Sequence, residues 1–424
     1  MMSALAVVGS TLNDGQSKAY QRIRQIIRSG SHIGAVLSAP AGSGKTYLTG
    51  ALVRDLMTAG HKVAATAPTN VATGILGTKI PDAESMTTHS LLGMRLVKND
   101  DGTMDIQPSG KSRVSEFSVI VIDECSMLDS RLYGPLMEQR GDAFLLFVGD
   151  PHQLPPVEQG LDRSPVFDDR RHAQVSLTEI VRQKADSSIL ALATAIRGHT
   201  GRFPMDRLGD YVDDKETHVI ARNSMTAAWC EGSRILSWSN STVQSCNARL
   251  HARFHPGAPE PFCPGERVIL HEQHESRRGV RLHNSSEGVV TDIAPGVHPC
   301  WPDFPAWLVS LQMDDGTLAQ EFFPQNVAQY KHQLGQAWAQ HKLAKAAGDK
   351  VNAKRLSRYA WGLKESFIPL RLAYASTVHK AQGATLHTAI VDIGGLYRNQ
   401  KNSEFSKLLY TAVTRPSNFL VLAM

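Results

Sequence analysis

A glycine-rich loop, Ala39-Pro40-Ala41-Gly42-Ser43-Gly44-Lys45-Thr46, carries the clearest chemical signal in the sequence. It follows the short apolar run Gly34–Ser38 and opens a helical pattern, which is the context in which such loops bind phosphate. Its glycines let backbone N–H groups face a phosphate, and the N-terminus of the helix adds positive potential. We expect Lys45 to reach the β- and γ-phosphates of a nucleoside triphosphate and the Thr46 hydroxyl to ligate Mg²⁺. The general pattern G-x-x-x-x-G-K-[ST] has Gly where this chain has Ala39.

Two adjacent carboxylates follow a second apolar run, Val119-Ile120-Val121-Ile122-Asp123-Glu124. The branched residues predict a central strand buried on both faces. Asp123 is expected to help hold Mg²⁺, and Glu124 to polarise a water for attack on the γ-phosphate. Alone, such a pair is often only a solvated turn; together with the Lys45 loop it indicates hydrolysis rather than nucleotide binding alone.

A third apolar run, at 144–148, ends in Gly149-Asp150-Pro151-His152-Gln153-Leu154-Pro155-Pro156-Val157. The uncharged Gln153 suits sensing of the γ-phosphate or its attacking water. Arg182 and Arg415 are the candidates for stabilising charge on the transferring phosphoryl group, where an inserted guanidinium contributes on the order of 10³–10⁵ in rate. Nothing in their local sequence distinguishes either from a surface arginine.

The elements that must position these residues alternate strand-like and helical patterns. Apolar runs at 34–38, 62–67, 119–122 and 143–148 predict a parallel sheet with helices on both faces. A hairpin around an Asp-Gly turn at 94–106 interrupts this pattern. Short β runs at 266–270, 287–290 and 307–311 predict a small antiparallel barrel between 261 and 365. Sheet-like runs resume at 368–375, 389–393 and 419–422.

The segment 326–364 predicts two helices broken at Gly348 and is strongly basic. Its single acidic residue is Asp349, and its basic residues are Lys331, Lys342, Lys345, Lys350, Lys354, Arg355, Arg358 and Lys364. Eight minus one gives +7, which exceeds the +5 of the whole chain. Either a solvated helix face or a phosphate-facing arm fits this charge.

Length and composition set the class of protein. The 424 residues suit two or three domains, and 42% hydrophobic with 20% charged residues excludes general disorder. A net charge of +5 permits a polyanionic partner without requiring one. There is no apolar run of membrane-spanning length and no secretory signal pattern at the start. Five cysteines without a C-x-x-C pair suggest neither a disulfide framework nor a zinc site, so we expect a cytoplasmic protein.

The order of these motifs resembles superfamily 1 helicases from Gln16 to Arg415. The matching segments are Leu12-Asn13-Asp14-Gly15-Gln16 (Q motif), 39–46 (motif I), Ala67-Pro68-Thr69-Asn70 (Ia), Thr87-Thr88-His89-Ser90-Leu91-Leu92 (Ib), Asp123-Glu124-Cys125-Ser126 (II), 149–157 (III), Arg182-Gln183 (IV), Ser376-Thr377-Val378-His379-Lys380-Ala381-Gln382-Gly383-Ala384-Thr385 (V) and Arg415 (VI).

Motifs III and V resemble the RecD-like branch, and the length, hairpin and late barrel resemble the Dda-type phage helicases. The family's N-G-x-x-G stretch is similar to the segment that begins at Asn284, with Ser285 in place of Gly. This resemblance implies an α/β fold with two RecA-like parallel-sheet domains, a β-hairpin pin and an SH3-like barrel with a helical insertion. The implied boundaries are 1–76 and 112–185 for domain 1A, 77–111 for pin 1B, 186–260 and 366–424 for domain 2A, and 261–365 for domain 2B.

The resemblance also implies an ATP-dependent DNA helicase that moves 5′ to 3′ on single-stranded DNA. ATP and Mg²⁺ would bind between the RecA-like domains, with Gln16 and Gly383 joining the phosphate loop. The residues implied to contact DNA are Pro68, Thr69, Asn70, His89, Asn240, Thr377, His379 and Lys380. Implied partners are single-stranded and forked DNA and replication or recombination proteins such as a single-strand-binding protein, with the chain acting as a monomer. An ATP-gated DNA-binding or remodelling protein and a helicase subunit of a nuclease complex remain alternatives.

Overall fold

The computed structural model describes residues 12–99, 103–156, 158, 161–178, 187–213, 215–398 and 402–424. Backbone contacts divide the chain into two units. The first contains residues up to 94, 108–243 and 376–424, and the second contains 95–107 and 244–375. Within the described residues, no helix has both the length and the apolar character needed to cross a bilayer. Strands and helices are numbered below along the described chain.

The first unit contains a six-stranded parallel sheet with the strand order β3-β2-β6-β7-β1-β8. Its strands are β1 (Gly34–Ser38), β2 (Val63–Ala67), β3 (Glu84–Thr87), β6 (Val119–Ile122), β7 (Phe144–Gly149) and β8 (His172–Ser176). The helices along this part of the chain are α1 (Asp14–Ser29), α2 (Lys45–Thr58), α3 (Asn70–Lys79), α4 (Thr88–Leu91) and α5 (Ser130–Gln139). The strands β2, β6 and β7 are buried along their whole length, and this explains their continuous apolar runs.

The predicted hairpin is present, as β4 (Met94–Lys98) paired with β5 (Met104–Pro108). The expected boundaries 77–111 for this insertion are too wide, because β3 pairs in parallel with β2 and so belongs to the first sheet. The strand β3 is a short edge strand with only partial burial, and its sequence Glu-Ser-Met-Thr lacks the apolar run that marks its neighbours. The hairpin tip, Asp100-Asp101-Gly102, lies outside the described residues.

A second sheet in the first unit has the strand order β18-β10-β19-β20-β9. Its strands are β9 (Thr217–Ile220), β10 (Ser233–Ser237), β18 (Ala375–Thr377), β19 (Leu386–Asp392) and β20 (Pro416–Ala423). The pairs β10 with β19, β19 with β20 and β20 with β9 are parallel. The helices around it are α6 (Ser188–Gly198), α10 (Val378–Ala381), α11 (Ile393–Tyr397) and α12 (Asn402–Val413). The prediction of two parallel-sheet domains is therefore confirmed.

The second unit is built on an antiparallel sheet with the strand order β16-β15-β14-β11-β17. Its strands are β11 (Arg267–Leu270), β14 (Glu287–His298), β15 (Trp301–Met313), β16 (Leu318–Pro324) and β17 (Leu370–Leu372), accompanied by the short pair β12 (His274–Glu275) and β13 (Arg281–Leu282). Strand β17 pairs with β11 and so belongs to this sheet, although its residues fall in the range 366–424 expected for the second parallel sheet. The helix α7 (Asn240–Phe254) precedes this sheet in the chain.

Two helices, α8 (Val327–Ala346) and α9 (Lys350–Glu365), form the basic segment and break at Gly348 as predicted. Within the second unit, α9 contacts the hairpin. The Trp361 indole Nε1 donates a hydrogen bond of 3.0 Å to the Asn99 carbonyl oxygen. The Lys98 ammonium pairs with the Glu365 carboxylate and lies 5.5 Å from the centre of the Trp361 ring.

The end of β7 passes very close to the segment after β6. A Cβ atom at Gly149 would lie 2.7 Å from Cys125 Sγ and 3.2 Å from the backbone nitrogens of Cys125 and Ser126. Only glycine fits there without displacement, and this brings two strand ends together.

We predict that Gly149→Ala lowers the free energy of unfolding by about 1–3 kcal/mol through overpacking. Gly74→Ala is the matched control, since Gly74 lies inside α3 and no atom of the described residues outside its own helix turn comes within 4 Å of an added Cβ. Alanine there should be neutral or stabilising by about 0.5–1 kcal/mol. Urea unfolding of the full chain measures both; equal stability of the two variants would contradict the close approach.

Candidate active site

The phosphate loop lies between the end of β1 and the start of α2, as its sequence predicts. Gly42 and Gly44 have φ angles of 80° and 77°, in the left-handed region that favours glycine. The Ser43 hydroxyl donates a 2.8 Å hydrogen bond to the Pro40 carbonyl oxygen and closes the loop on itself. The Ala39 N–H donates to the Gly149 carbonyl oxygen at 2.9 Å, so the loop is also tied to the end of β7.

Gln16 ties the start of α1 to this loop. Its Nε2 donates to the Ser43 carbonyl oxygen at 3.1 Å, and the site is buried. Its Oε1 accepts a hydrogen bond of 3.2 Å from the Asn13 N–H, while its own N–H donates to Asn13 Oδ1 at 2.8 Å. This reciprocal pair is a capping box. Gln16, expected to bind the nucleotide, therefore also holds the phosphate loop in place.

Asp123 and Glu124 leave the end of β6 towards the same loop. Asp123 Oδ1 accepts a 2.9 Å hydrogen bond from the Glu124 N–H. Burial raises the pKa of Asp123, and the Glu124 charge raises it further, whereas Lys45 opposes this. Glu124 has a φ of 51°, which is strained for a residue with a side chain, and strain of this kind is concentrated at functional sites. Among the described residues, the buried Glu124 Oε2 has no hydrogen-bond partner.

Four charged side chains influence the protonation of Lys45. Burial would lower its pKa, but the carboxylates of Glu124, Asp123 and Asp150 outweigh burial and raise it. Arg415 acts in the opposite direction and lowers the pKa of Lys45. Lys45, Glu124 and Arg415 therefore share one electrostatic environment, although Arg415 follows the second sheet in the chain.

Asp150 joins the two sheet domains through buried polar contacts. Its side chain is fully buried, and its Oδ2 accepts a 2.7 Å hydrogen bond from the Tyr410 hydroxyl of α12. Burial, followed by the effect of Asp150, raises the pKa of Tyr410 far above its usual value, so the hydroxyl stays a donor. The Arg197 guanidinium of α6 lies 3.7 Å from Asp150 Oδ1, which also accepts from the His152 N–H.

Gln153, which follows β7, and Arg415, which follows α12, are two further buried polar residues of these domains. Gln153 is buried, and its Oε1 lies 3.5 Å from the Nε2 of Gln382, which follows α10. The buried Arg415 guanidinium donates to the carbonyl oxygens of Thr411 and Ala384, at 3.0 and 3.3 Å. Gly383, with a φ of 83°, lies beside this segment. Arg182 lies outside the described residues.

The side chains present fit a divalent cation. Among the described residues, the buried Glu124 Oε2 has no protein donor, and the neighbouring Asp123 side chain is also buried. Carboxylate oxygens and a hydroxyl are ligands that Mg²⁺ prefers. Asp123 and Thr46, the second residue of α2, are the residues that would hold it.

The expected DNA-contacting residues follow neighbouring strands near one edge of each parallel sheet. Pro68, Thr69 and Asn70 follow β2, and His89 follows β3, whose ends are paired through Ala67 and Thr87. The Thr69 hydroxyl caps α3 by accepting from the Ala72 N–H at 3.2 Å.

In the second sheet the corresponding strands are also neighbours. Asn240 begins α7 after β10, and Thr377 ends β18, the strand next to β10. His379 and Lys380 follow in α10. The residues expected to bind the nucleotide phosphates, in contrast, follow β1, β6 and β7 of the first sheet. The two sets of expected residues therefore lie at the ends of different strands.

Sequence reasoning missed the contacts that join the two domains. Tyr410, Arg197 and Gln382 had no role assigned, because a lone Tyr or Arg on a helix pattern carries no signal of a buried partner far away in the chain. These contacts between the domains become visible only in the three-dimensional structure, in which Asp150 is buried. The one available hint was a charged residue, Asp150, inside a Pro-rich loop.

We predict that Tyr410→Phe lowers the free energy of unfolding by about 1–3 kcal/mol, because the buried Asp150 carboxylate loses a donor. Tyr397→Phe is the control, since Tyr397 is an exposed tyrosine of the same domain. Urea unfolding of the full chain measures the difference. Equal stability of the two variants would show that the Tyr410 hydroxyl is not engaged.

Solved structures share this architecture. The crystal structure of Pif1 helicase from Candida albicans has a TM-score of 0.57 at 19% identity, covering 97% of this chain and 94% of that chain. The crystal structure of Bacteroides Pif1 bound to ssDNA has a TM-score of 0.59 at 17% identity, covering 96% of this chain and 92% of that chain. These likenesses show that the two parallel-sheet domains have the RecA-like fold.

Sequence comparisons also find helicases among the relatives of this chain. Family profiles for the AAA domain and for the UvrD-like helicase C-terminal domain match residues 11–221 and 372–423. The chain is 26% identical to the ATP-dependent DNA helicase Dda of Enterobacteria phage T4 over 62% of this chain and 61% of that protein. It is 24% identical to the ATP-dependent RecD2 DNA helicase of Deinococcus radiodurans over 90% of this chain and 45% of that protein. The chain spans less than two thirds of the length of either relative. Its two profile matches, these relatives and the shared fold together support a superfamily 1 helicase of the Dda, RecD and Pif1 type.

Proposed function

We propose that this protein is an ATP-dependent DNA helicase that translocates 5′ to 3′ on single-stranded DNA and unwinds duplex DNA. The observation that carries the proposal is the buried junction of the two sheet domains, where Asp150 accepts a hydrogen bond from Tyr410. The charges of Lys45, Glu124 and Arg415 act on one another at this junction. A phosphate-binding lysine, a carboxylate base and an arginine from a second domain are the parts that γ-phosphate hydrolysis between two domains requires.

Each residue then has one chemical role. Lys45 and the backbone of 41–46 bind the β- and γ-phosphates, and Gln16 supports the loop next to the base. Glu124 accepts the proton of the attacking water, a role that suits a carboxylate oxygen with no hydrogen-bond donor in the described part of the chain. Gln153 senses the water or the γ-phosphate. Mg²⁺, held by Thr46 and Asp123, would supply a positive charge to the phosphate oxygens.

Arg415 of the second domain would make the cleft between the two domains close when ATP binds. Lys45 and Arg415 repel each other, as the effect of Arg415 on the Lys45 pKa indicates. A triphosphate between them turns this repulsion into two attractions, and this favours a closed cleft; loss of the γ-phosphate removes part of that attraction. The open and closed states thus differ in their contacts with the nucleotide, as any ligand-driven change requires. Arg182 and Gly383 are assigned to the same site by the resemblance.

Single-stranded DNA would contact Pro68, Thr69, Asn70 and His89 on the first domain, and Asn240, Thr377, His379 and Lys380 on the second. Burial lowers the pKa of both His89 and His379, so both rings are neutral near pH 7. Neutral rings and short polar groups bind by hydrogen bonds and stacking, which tolerate any sequence. Closing and opening of the cleft between the domains would let the two groups of residues bind and release DNA in turn. This alternation would move a monomer along single-stranded or forked DNA.

The hairpin β4–β5 is proposed to act as the strand-separating pin, and the antiparallel sheet as an SH3-like domain. The Trp361 hydrogen bond and the Lys98–Glu365 pair give the hairpin a firm base on α9. That base suits a hairpin that must resist a DNA fork. The helicase relatives and neighbours support the DNA substrate; the direction of movement follows from the RecD-like resemblance alone.

Strand displacement on a duplex with a 5′ single-stranded tail tests the proposed function. We expect unwinding that requires ATP, Mg²⁺ and the 5′ tail, and no unwinding from a 3′ tail. Lys45→Ala should abolish ATPase and unwinding while DNA binding in low salt remains; Lys18→Ala, an exposed lysine of α1, should behave like the parent. ATPase stimulated by DNA without displacement would instead support the ATP-gated binding protein.

The role of Glu124 is tested by Glu124→Gln. Removal of a general base should lower single-turnover hydrolysis by about 10²–10⁴-fold while ATP affinity stays within a few fold of the parent. Glu138→Gln, an exposed glutamate of α5, is the control and should leave both quantities unchanged. Hydrolysis within tenfold of the parent in Glu124→Gln would remove Glu124 from the proposed mechanism.

A further inference from the structure

A cluster of His, Cys and Glu side chains lies in the second unit, where the proposed function assigns no role. The cluster contains His251, Cys263 and Glu266, whose potential ligand atoms all lie within 4.8 Å of one another. His255 adds a fourth donor, because its Nε2 lies 3.6 Å from Glu266 Oε1.

Local geometry brings these four side chains together from two short sequence patterns. His251 and His255 are four residues apart at the end of α7, so they lie on one face, and their ring centres are 5.5 Å apart. Cys263 and Glu266 are the first and last residues of the turn Cys-Pro-Gly-Glu. The Glu266 N–H donates to the Cys263 carbonyl oxygen at 3.0 Å, and Gly265 has a φ of 90°. Proline followed by a glycine with positive φ is the pattern of a type II turn, which is rigid.

Hydrogen bonds orient the His251 ring so that one of its two nitrogens points towards Glu266. The Nε2 of His251 lies 3.1 Å from the Glu260 carbonyl oxygen, and since a carbonyl only accepts, this nitrogen carries a proton. The Nδ1 of His251 lies 2.9 and 3.0 Å from the two carboxylate oxygens of Glu266, which accept a hydrogen bond from it. A metal ion bound there would replace the proton on Nδ1. A ligating imidazole that donates its other N–H to a backbone carbonyl is the usual arrangement at metal sites.

Glu266 is the centre of the cluster and is held firmly. Its side chain is 2% exposed. It accepts hydrogen bonds from the Cys263 N–H at 2.7 Å and from the Tyr374 hydroxyl at 2.6 Å. A carboxylate fixed in this way presents its remaining lone pairs to the two histidines.

We propose that His251, His255, Cys263 and Glu266 form a structural Zn²⁺ site. Two imidazoles, a thiolate and a carboxylate are a donor set that zinc accepts in tetrahedral geometry, with bonds of about 2.0–2.3 Å. Such bonds place ligand atoms about 3.3–3.8 Å apart. The ligand atoms of His251, Cys263 and Glu266 lie within 4.8 Å of one another, and His255 lies 3.6 Å from Glu266 but would have to move towards the other two on metal binding. The ion would fasten the end of α7 to the turn that precedes β11. This site was not expected from the sequence, because only C-x-x-C pairs were taken as a zinc signal.

Zinc content and cobalt absorption test the proposal on the full chain. The purified protein, stripped with a chelator and reloaded with Zn²⁺, should retain one equivalent after desalting. Co²⁺ in its place should give a thiolate-to-cobalt charge-transfer band in the near ultraviolet, because Cys263 is a ligand. Zn²⁺ should also raise the thermal midpoint of the stripped protein.

Two variants and one control locate the ion. Cys263→Ala should abolish the charge-transfer band, and both Cys263→Ala and His255→Ala should weaken Zn²⁺ affinity at least about a hundredfold. His255 lies in a partly exposed position at the end of α7, so His255→Ala should fold even where Cys263→Ala does not. Cys300→Ala, at an exposed free cysteine of the same unit, should leave metal binding unchanged.

The alternative is an ordinary ion pair between His251 and Glu266 without a metal. In that case the parent retains no stoichiometric Zn²⁺ and shows no charge-transfer band, and the proposal fails. Retention that is equal in the parent, Cys263→Ala and His255→Ala would place the ion elsewhere and overturn it as well. Neither result bears on ATP hydrolysis, since the cluster contains none of the residues assigned to the nucleotide.

Discussion

The balance of charge around Lys45 is the constraint on which the rest of the site depends. Partial removal from water would lower the pKa of Lys45, yet the carboxylates of Glu124, Asp123 and Asp150 raise it and keep the lysine charged. The lysine remains a cation able to bind phosphate because those three side chains are placed around it. Each of them follows a central strand of the first sheet.

The fold explains how the side chains reach this position. Strands β6 and β7 are adjacent and parallel, so their carboxyl ends deliver Asp123, Glu124 and Asp150 to one edge of the sheet. Gly149 allows these two ends to approach closely, and Asp150 then meets Tyr410 from the second domain. The same buried carboxylate that contributes to the charge around Lys45 therefore also links the domains.

Prediction from sequence succeeded where the pattern was local. The phosphate loop, the run 119–122, the hairpin strands and the break at Gly348 each depend on a few consecutive residues, and the structure has them where they were expected. Strand β3 was missed because a short, half-buried edge strand needs no apolar run. Strand β17 was assigned to the wrong sheet because an apolar run does not reveal its pairing partner. The Asp150–Tyr410 contact and the His251–Glu266 cluster join residues through folding, and no local pattern contains them.

In the proposed mechanism, residues of both RecA-like domains act on one phosphate group. A crystal structure with ADP, fluoroaluminate, Mg²⁺ and single-stranded DNA tests it most directly. We predict that Lys45 and Arg415 both contact the fluoroaluminate group, with a water or fluoride between it and Glu124. A fluoroaluminate group bound by first-domain residues alone, with Arg415 directed away from it, would rule out hydrolysis by residues of both domains.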